Sequence, residues 1–532
     1  MAGRAVAMRR EFSPQVISTL AWAFATVPAG SAAGLWEVLE AEAIARLGSF
    51  EARDLSNLAW AAAKQAQGRA GLLRSLAPAC AEKLREFGGQ ALSNTAWALA
   101  ACGGAAGAEL VPALAEEAAA RVDELTPQAM SSLAWACAVT RVDSAPLLAA
   151  VSSAAAERLP EFDPHALAGT LWASARLSRA EPQLVRLAAR TVAASSSEFG
   201  LRSLAGVAWA LATLGVEEPS AFRSIAATLA EELHVDAPGS SGAAATPGFA
   251  KDVLSVVWAL HFVGELDRGV LDLAHAALAE VGCRLDGARR TMPGAAEAGG
   301  SGTDTGARGP LGEVPRVALD MADRLAVEKP PGWEVDQRLD RRELGEEEDA
   351  GEVRRRLSEF LRAALPPRQW PIVQDVEHCR GLLHRLDVPS SGLVLVAKTY
   401  EAYYDLMLQL STGALVRDYL VLCHGWLPSE CREVYARVDW VEGRGLPSQV
   451  SPQGKPARTL LKVLAHGLRR QSTAEGAQRL SFLAVRVETG RRHQIRAHLA
   501  HLGHPVVCDG KYTDSSVFLS DLEWCPRNFI HR

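Results

Sequence analysis

Thr126-Pro127-Gln128-Ala129-Met130-Ser131-Ser132-Leu133-Ala134-Trp135-Ala136-Cys137-Ala138 is one version of a phrase that recurs through the first half of the chain. The other versions are SPQVISTLAWAFA around Trp22, ARDLSNLAWAAA around Trp60, GQALSNTAWALA around Trp97, PHALAGTLWASA around Trp172, LRSLAGVAWALA around Trp209 and KDVLSVVWALH around Trp258. The tryptophans lie 38, 37, 38, 37, 37 and 49 residues apart, the last gap being widened by a Gly/Ser/Ala/Pro-rich stretch near Asp236–Pro247. A repeat period in this range belongs to helical hairpins that stack. Ser13-Pro14, Thr126-Pro127 and Asp163-Pro164 each place a side-chain acceptor just before a proline at the first helical position, which is how a helix starts. A second helix follows, as over Leu72 to Phe87, with apolar residues at helical spacing and a recurring Phe or Leu near its end. One hairpin cannot bury its own apolar face, so about seven of them are expected to form an α-solenoid over residues 1–286.

Two columns run through these phrases. The tryptophans read as core, because a large aromatic gains most from burial. Three residues earlier stand Thr19, Asn57, Asn94, Ser132, Gly169, Gly206 and Ser255. Such small or amide side chains either read bases along a concave face or let neighbouring helices approach closely.

At 532 residues the chain exceeds the about 250–300 at which a single core stops growing, so it is multidomain. The net charge is −6, and residues 1–290 hold 24 Lys/Arg against 30 Asp/Glu, which accounts for all of it. Phosphate contacts dominate non-specific nucleic-acid affinity, so an acidic helical half must either gather its cations on one face or bind protein. The nine cysteines are odd in number, scattered and never arranged as CxxC; neither a disulfide framework nor a zinc site is read from them. No apolar stretch free of charge reaches 18 residues, so no membrane span is expected.

Residues 287–313, rich in Gly, Ala and Thr without apolar periodicity, read as a flexible linker. From Val314 to Arg532 the texture changes to short apolar runs between turn signals, interrupted at about 336–356 by an acidic insertion containing Glu346-Glu347-Glu348-Asp349. Without Asp336–Glu352, which hold 3 basic and 8 acidic residues, residues 291–532 keep 29 basic against 24 acidic ones. The body that remains is locally basic.

Four segments there follow in order. Arg324 to Lys329 is a strand running into a Pro-Gly turn at Gly332. His384-Arg385-Leu386-Asp387-Val388-Pro389-Ser390-Ser391-Gly392 precedes an apolar strand. Arg417-Asp418-Tyr419 opens another. Glu488-Thr489-Gly490-Arg491-Arg492-His493-Gln494-Ile495-Arg496 leads into Gly503-His504-Pro505 and Asp509. Together with Gly454-Lys455-Pro456-Ala457-Arg458-Thr459, this succession over residues 316–532 resembles the RluA-type RNA pseudouridine synthases. The repeats, over about residues 11–290, are similar to the octotricopeptide and heptatricopeptide repeats of organellar RNA-binding proteins, which implies single-stranded RNA as their ligand.

The first resemblance implies an α+β domain on a mixed, mainly antiparallel sheet, which isomerises uridine to pseudouridine. That reaction breaks an N-glycosidic bond and rejoins the base through carbon, with neither redox change nor hydrolysis, so no cofactor or metal is required. Asp387 takes the family's carboxylate position, as nucleophile on C1′ or base at C2′. By the same resemblance Arg496 is expected as its cationic partner, and Tyr419 is expected to pack on the base and assist removal of the C5 proton. Arg385 is expected to fill the gap left by a flipped nucleotide, and Lys329, Lys455, Arg491, Arg492 and His493 are the other expected RNA contacts. His493, His498, His501 and His504 lie close in sequence, but no cysteine or carboxylate completes a metal shell with them.

The sequence departs from the family in having Ser390-Ser391-Gly392 for Thr-Ser-Gly and Arg417 for Lys. It also stops at Phe529-Ile530-His531-Arg532, where the family continues into a final Leu-rich strand; that raises the alternative of a catalytically impaired, RNA-binding maturation factor. A third reading carries the enzyme on a protein-interaction scaffold, with protein partners on the helical half. The expected substrate is rRNA, tRNA or organellar RNA, and the location intracellular: mitochondrion or plastid, or else cytoplasm.

Overall fold

The computed structural model describes residues 12–26, 33–65, 70–102, 105–179, 181–235, 246–290, 314–336, 355–440, 447–470 and 477–532. Most of the 287–313 stretch and of the acidic insertion, and the Gly/Ser/Ala/Pro-rich stretch near Asp236, lie outside the described residues. The chain divides into two compact units, Met1–Thr228 and Leu229–Arg532.

The first unit is helical. The tryptophan-bearing helices are Pro14–Thr26, Ala52–Lys64, Gly89–Cys102, Pro127–Thr140, Pro164–Arg176 and Leu201–Leu214, and each packs against the next. The intervening helices Ala33–Ala45, Ala70–Glu82, Ala105–Ala120, Ala145–Glu157 and Pro182–Ser195 form a second row. The caps are those the sequence announces: Thr126 Oγ1 accepts from Ala129 N at 3.2 Å, Asp163 Oδ1 from Ala166 N at 2.7 Å and Ser13 Oγ from Val16 N at 3.3 Å. Each second-row helix tightens into a single 3₁₀ turn and then inserts a buried Phe50, Phe87, Leu125, Phe162 or Phe199. Beside these inserts runs a recurring bond. Arg46 donates to Phe12 O (2.8 Å), Lys83 to Phe50 O (2.5 Å), Arg121 to Phe87 O (3.0 Å) and Arg158 to Leu125 O (3.2 Å).

The tryptophans are not the core. Trp22 is 47% exposed, and Trp60, Trp97, Trp135, Trp172 and Trp209 are each half-buried. The interior between helices is taken by small neighbours such as Ala21, Ala59, Ala96, Ala134 and Ala208, which let the backbones approach too closely for an indole. The indoles therefore line the rim, with Trp22 stacked on Trp60 and Trp172 tilted on Trp209, each pair at 6.2 Å. At Gly169 the close-approach reading holds, since a Cβ there would run into Ser131 Oγ.

The second unit holds helices Pro247–Val263 and Arg268–Arg290 and the sheets. Its strands are β1 (Arg316–Asp320), β2 (Arg324–Lys329), β3 (Trp333–Glu334), β4 (Arg355–Arg356), β5 (Gly392–Ala397), β6 (Asp418–His424), β7 (Glu433–Tyr435), β8 (Val438–Asp439), β9 (Gln449–Val450), β10 (Arg458–Arg470), β11 (Ala477–Val487) and β12 (Ile530–His531). One antiparallel sheet has the order β1-β2-β5 and another β12-β6-β11-β10-β7; among the described residues the short β3–β4 pair and the isolated Ser391–His531 bridge are parallel. The last three residues stitch the two sheets together. Ile530 and His531 pair with Val421 and Leu420 on one side, while Arg532 N donates to Ser391 O and Leu393 N to Arg532 O on the other. Gly392 is needed there, because a Cβ would strike the Arg532 backbone. Val421, Leu461, Leu483, Val485 and Ile530 form a core under helix Gln494–His501, which contributes Ile495 and Leu499.

Candidate active site

Asp387 sits on the loop entering β5, just where β12 joins the two sheets. The loop is pinned from below. Lys329, at the end of β2, is fully buried, and its ammonium donates to Pro330 O (2.9 Å) and Val388 O (3.2 Å). Gly332 N adds a bond to Val388 O at 2.8 Å. Lys329 is therefore no RNA contact. With no exposed surface it cannot reach a phosphate; its place is under the nucleophile's loop, where burial pushes its pKa down to about 7.

Arg496 projects from helix Gln494–His501 and joins two carboxylates. Its Nη1 donates to Asp387 Oδ2 at 2.9 Å, and its Nε and Nη2 donate to the two oxygens of Asp509, each at 2.6 Å. The Asp509 side chain is wholly buried, whereas Asp387 keeps 19% of its side-chain surface open. Burial alone would raise the Asp387 pKa, but at the acid end, where His493 is charged, that ring and then Arg496 and Arg385 hold it below the ordinary carboxylate range. His493, 3.9 Å from Asp387, is itself pushed down to about 4 by burial. Near neutral pH it is uncharged, so Arg496 and the exposed Arg385 are what keep Asp387 ionised.

His493 lies in the left-handed backbone region (φ 53°), uncommon for a residue with a side chain. That turn starts the helix and brings the ring beside Asp387, with Nδ1 3.3 Å from the Tyr512 hydroxyl. Tyr512 donates to Ser448 O at 2.6 Å, and the Arg496 guanidinium stands 5.1 Å from its ring centre. Tyr419 opens β6 opposite Val485 and packs on the sheet core. Burial and then the Asp387 charge raise its pKa, against the pull of Arg532 and Arg417, so at rest it is a phenol.

The remaining expected contacts divide. Arg385 points outward from the Asp387 loop. Arg492 lies 4.2 Å from the Trp440 ring centre. Arg491 donates to Pro456 O at 3.0 Å and is largely enclosed, with its pKa lowered to about 10. Lys455 pairs through its backbone with Val438, and its side chain is half-buried. Asp509 and Tyr512 are the residues that sequence reasoning missed; Asp509 was visible only as the end of a motif. No group of three or more His, Cys, Asp or Glu suited to a metal ion occurs among the described residues.

A family model described as RNA pseudouridylate synthase matches residues 366–501, which include Asp387, Tyr419 and Arg496. Ribosomal large subunit pseudouridine synthase D of Nitrosomonas europaea is 39% identical over 140 residues, 26% of this chain and 36% of that protein. Ribosomal large subunit pseudouridine synthase D of Escherichia coli (strain K12) is 32% identical over 170 residues, 30% of this chain and 48% of its own length. The matches thus span less than half of either relative. The solved chain of Human RNA Pseudouridylate Synthase Domain Containing 1 is 25% identical and covers 41% of this chain and 76% of its own, with a TM-score of 0.30.

Proposed function

We propose that the C-terminal half of this chain, an RNA pseudouridylate synthase domain, isomerises uridine to pseudouridine in RNA, and that the helical half selects the RNA. The observation that carries the chemistry is the Asp387 carboxylate, ionised, partly open and aimed by Arg496 at 2.9 Å. A flipped uridine presents its sugar to this group. Asp387 either adds to C1′ or takes the C2′ proton, and the C1′–N1 bond breaks. The base turns and C5 bonds to C1′, displacing the Asp387 carboxylate in the first case or with Asp387 returning the proton to C2′ in the second; C5 then loses its proton and N1 gains one, so the reaction is atom-neutral. Tyr419 offers the freed base a face to pack on, and its phenol stands ready to relay the C5 proton.

For the helical half we propose a solenoid of seven repeats that binds single-stranded RNA along its tryptophan rim. Besides the tryptophans and the Thr19–Ser255 column, the same helix faces carry Gln15, Arg53, Gln90, Gln128, His165, Arg202 and Lys251, all exposed, seven residues before each tryptophan. These three columns contain no carboxylate, although the half as a whole is acidic. Half-open indoles for bases and cations for phosphates suit a single strand. The proposed location remains intracellular: mitochondrion, plastid or cytoplasm.

The test maps pseudouridines in total RNA from cells with this protein, without it, and with Asp387→Asn. Sites present only with the intact protein support the proposal. Sites that persist with Asp387→Asn refute the catalytic assignment, and no dependent sites at all favour the impaired maturation factor.

A further inference from the structure

Helix Tyr400–Ser411 follows β5 directly, and its first turn is completed from far away in the chain. A helix start leaves N–H groups without intrahelical partners. Thr399 Oγ1 accepts from Ala402 N (3.1 Å), but Tyr400 N and Glu401 N donate to the two oxygens of Asp286, at 3.1 and 3.2 Å. Asp286 belongs to helix Arg268–Arg290, 114 residues earlier. A carboxylate at a helix N-terminus also meets the positive end of the helix dipole. One turn before it, Gly282 lies against the same backbone, and a Cβ there would come within 2.6 Å of Glu401 N. Only glycine allows this approach.

Other contacts continue the seam. His275 Nε2 lies 3.8 Å from Asp405 Oδ1, and Asp405 Oδ2 accepts from Arg324 of β2 at 2.8 Å. His261 of helix Pro247–Val263 approaches Gly413, where a Cβ would meet its Nε2 at 3.1 Å. On the far side, the Tyr400 hydroxyl donates to Asp375 Oδ2 (2.9 Å), which also faces His378 Nδ1 at 3.1 Å. That pair anchors the segment leading into His384 to Asp387.

We infer that helices Pro247–Val263 and Arg268–Arg290 are a fixed part of the catalytic unit, clamped on helix Tyr400–Ser411 through Gly282 and Asp286, and not a terminal repeat on a free tether. The seventh rung, Lys251, Ser255 and Trp258, then rides on the body that holds Asp387. RNA laid on that rung meets the nucleophile at a set distance; this consequence rests on the proposed RNA role, whereas the clamp itself does not.

The test keeps the full chain and replaces residues 301–305 by a site for a sequence-specific protease. After cleavage, the two pieces of the otherwise native protein are expected to co-elute in size-exclusion chromatography at low micromolar concentration. With Gly282→Leu they are expected to separate. Asp286→Ala, a milder change, is expected to speed amide hydrogen exchange at Tyr400 and Glu401 with the circular dichroism unchanged. Separation of the native pieces while both stay folded overturns the inference. So does co-elution of the folded Gly282→Leu pieces, or unchanged exchange in Asp286→Ala.

Discussion

Replacing Arg496 with Met removes a cation from between two carboxylates, and the two should respond differently. Asp509 has no exposed side-chain surface and takes both of its guanidinium bonds from Arg496 at 2.6 Å. A buried charge deprived of its partner costs about 3–5 kcal/mol, so the variant should unfold at clearly lower temperature. Asp387 loses one charge-assisted bond at 2.9 Å, worth about 1.5–3 kcal/mol. If that stabilisation is needed at the transition state, the rate falls by about 10- to 150-fold, at about 1.4 kcal/mol per decade. Thermal unfolding and pseudouridine content by nucleoside mass spectrometry report the two effects separately. Arg496→Met/Asp509→Asn separates them further: neutralising the stranded carboxylate should recover stability but not activity. Arg496→Lys should recover part of the activity, since the charge returns without the planar fork. A wild-type pseudouridine yield from Arg496→Met, or from the double variant, would refute the assignment of Arg496 as the partner that keeps Asp387 ionised and aimed.

Asp387→Ala and Asp387→Asn should both abolish pseudouridine formation while leaving the melting temperature nearly unchanged; turnover by either rejects the nucleophile. Because the folded pKa of Asp387 lies below its ordinary value of about 3.9, its ionised form and its pair with Arg496 persist above that range and are lost only as pH falls through the lowered value. Titration of Asp387 should therefore leave activity level above about pH 5, and Tyr419, whose pKa is raised, adds no step near neutrality; a change near pH 7 is expected only from Lys329, whose burial-lowered pKa of about 7 lies under the Asp387 loop. A midpoint near pH 6–7 that persists in Lys329→Met would mean that His493 titrates in the reaction and would contradict its burial-lowered value. Finally, Trp135→Ala and Trp172→Ala should each weaken binding of the full chain to a labelled single-stranded RNA by about 1–3 kcal/mol. A lower melting temperature with unchanged affinity would return these side chains to a packing role.

What the sequence disclosed was local. A hydroxyl or carboxylate before proline gives a helix cap within three residues, so Thr126 and Asp163 could be read directly and bond as expected. The pairing of Asp387 with Arg496 came through motif resemblance, and the geometry agrees. Three readings needed information that no window of sequence holds. Lys329 looks like any basic residue after a strand, and only its burial under Val388 reveals an anchor. Asp509 is thirteen residues from Arg496, and the turn between them decides that they meet. The tryptophans looked like core because indoles favour burial, yet the alanine preceding most of them takes the interior position. Asp286, capping a helix 114 residues later, is the extreme case: its partner is a backbone that any sequence could supply.

The bonds from Arg46, Lys83, Arg121 and Arg158 to the Phe or Leu carbonyl two residues before a tryptophan-bearing helix bear on how such a chain can change in length. From Lys83 onward each hairpin in that run brings one donor for the neighbour behind it and one acceptor for the neighbour ahead. Copying or deleting a whole hairpin leaves the ladder closed, with no stranded ammonium or carbonyl at the seam. A gain or loss of a few residues inside a hairpin shifts the donor off its carbonyl and is felt at once. Gene-level growth is thereby channelled into full-period steps, and the near-constant interval between the tryptophans is the trace such a filter leaves.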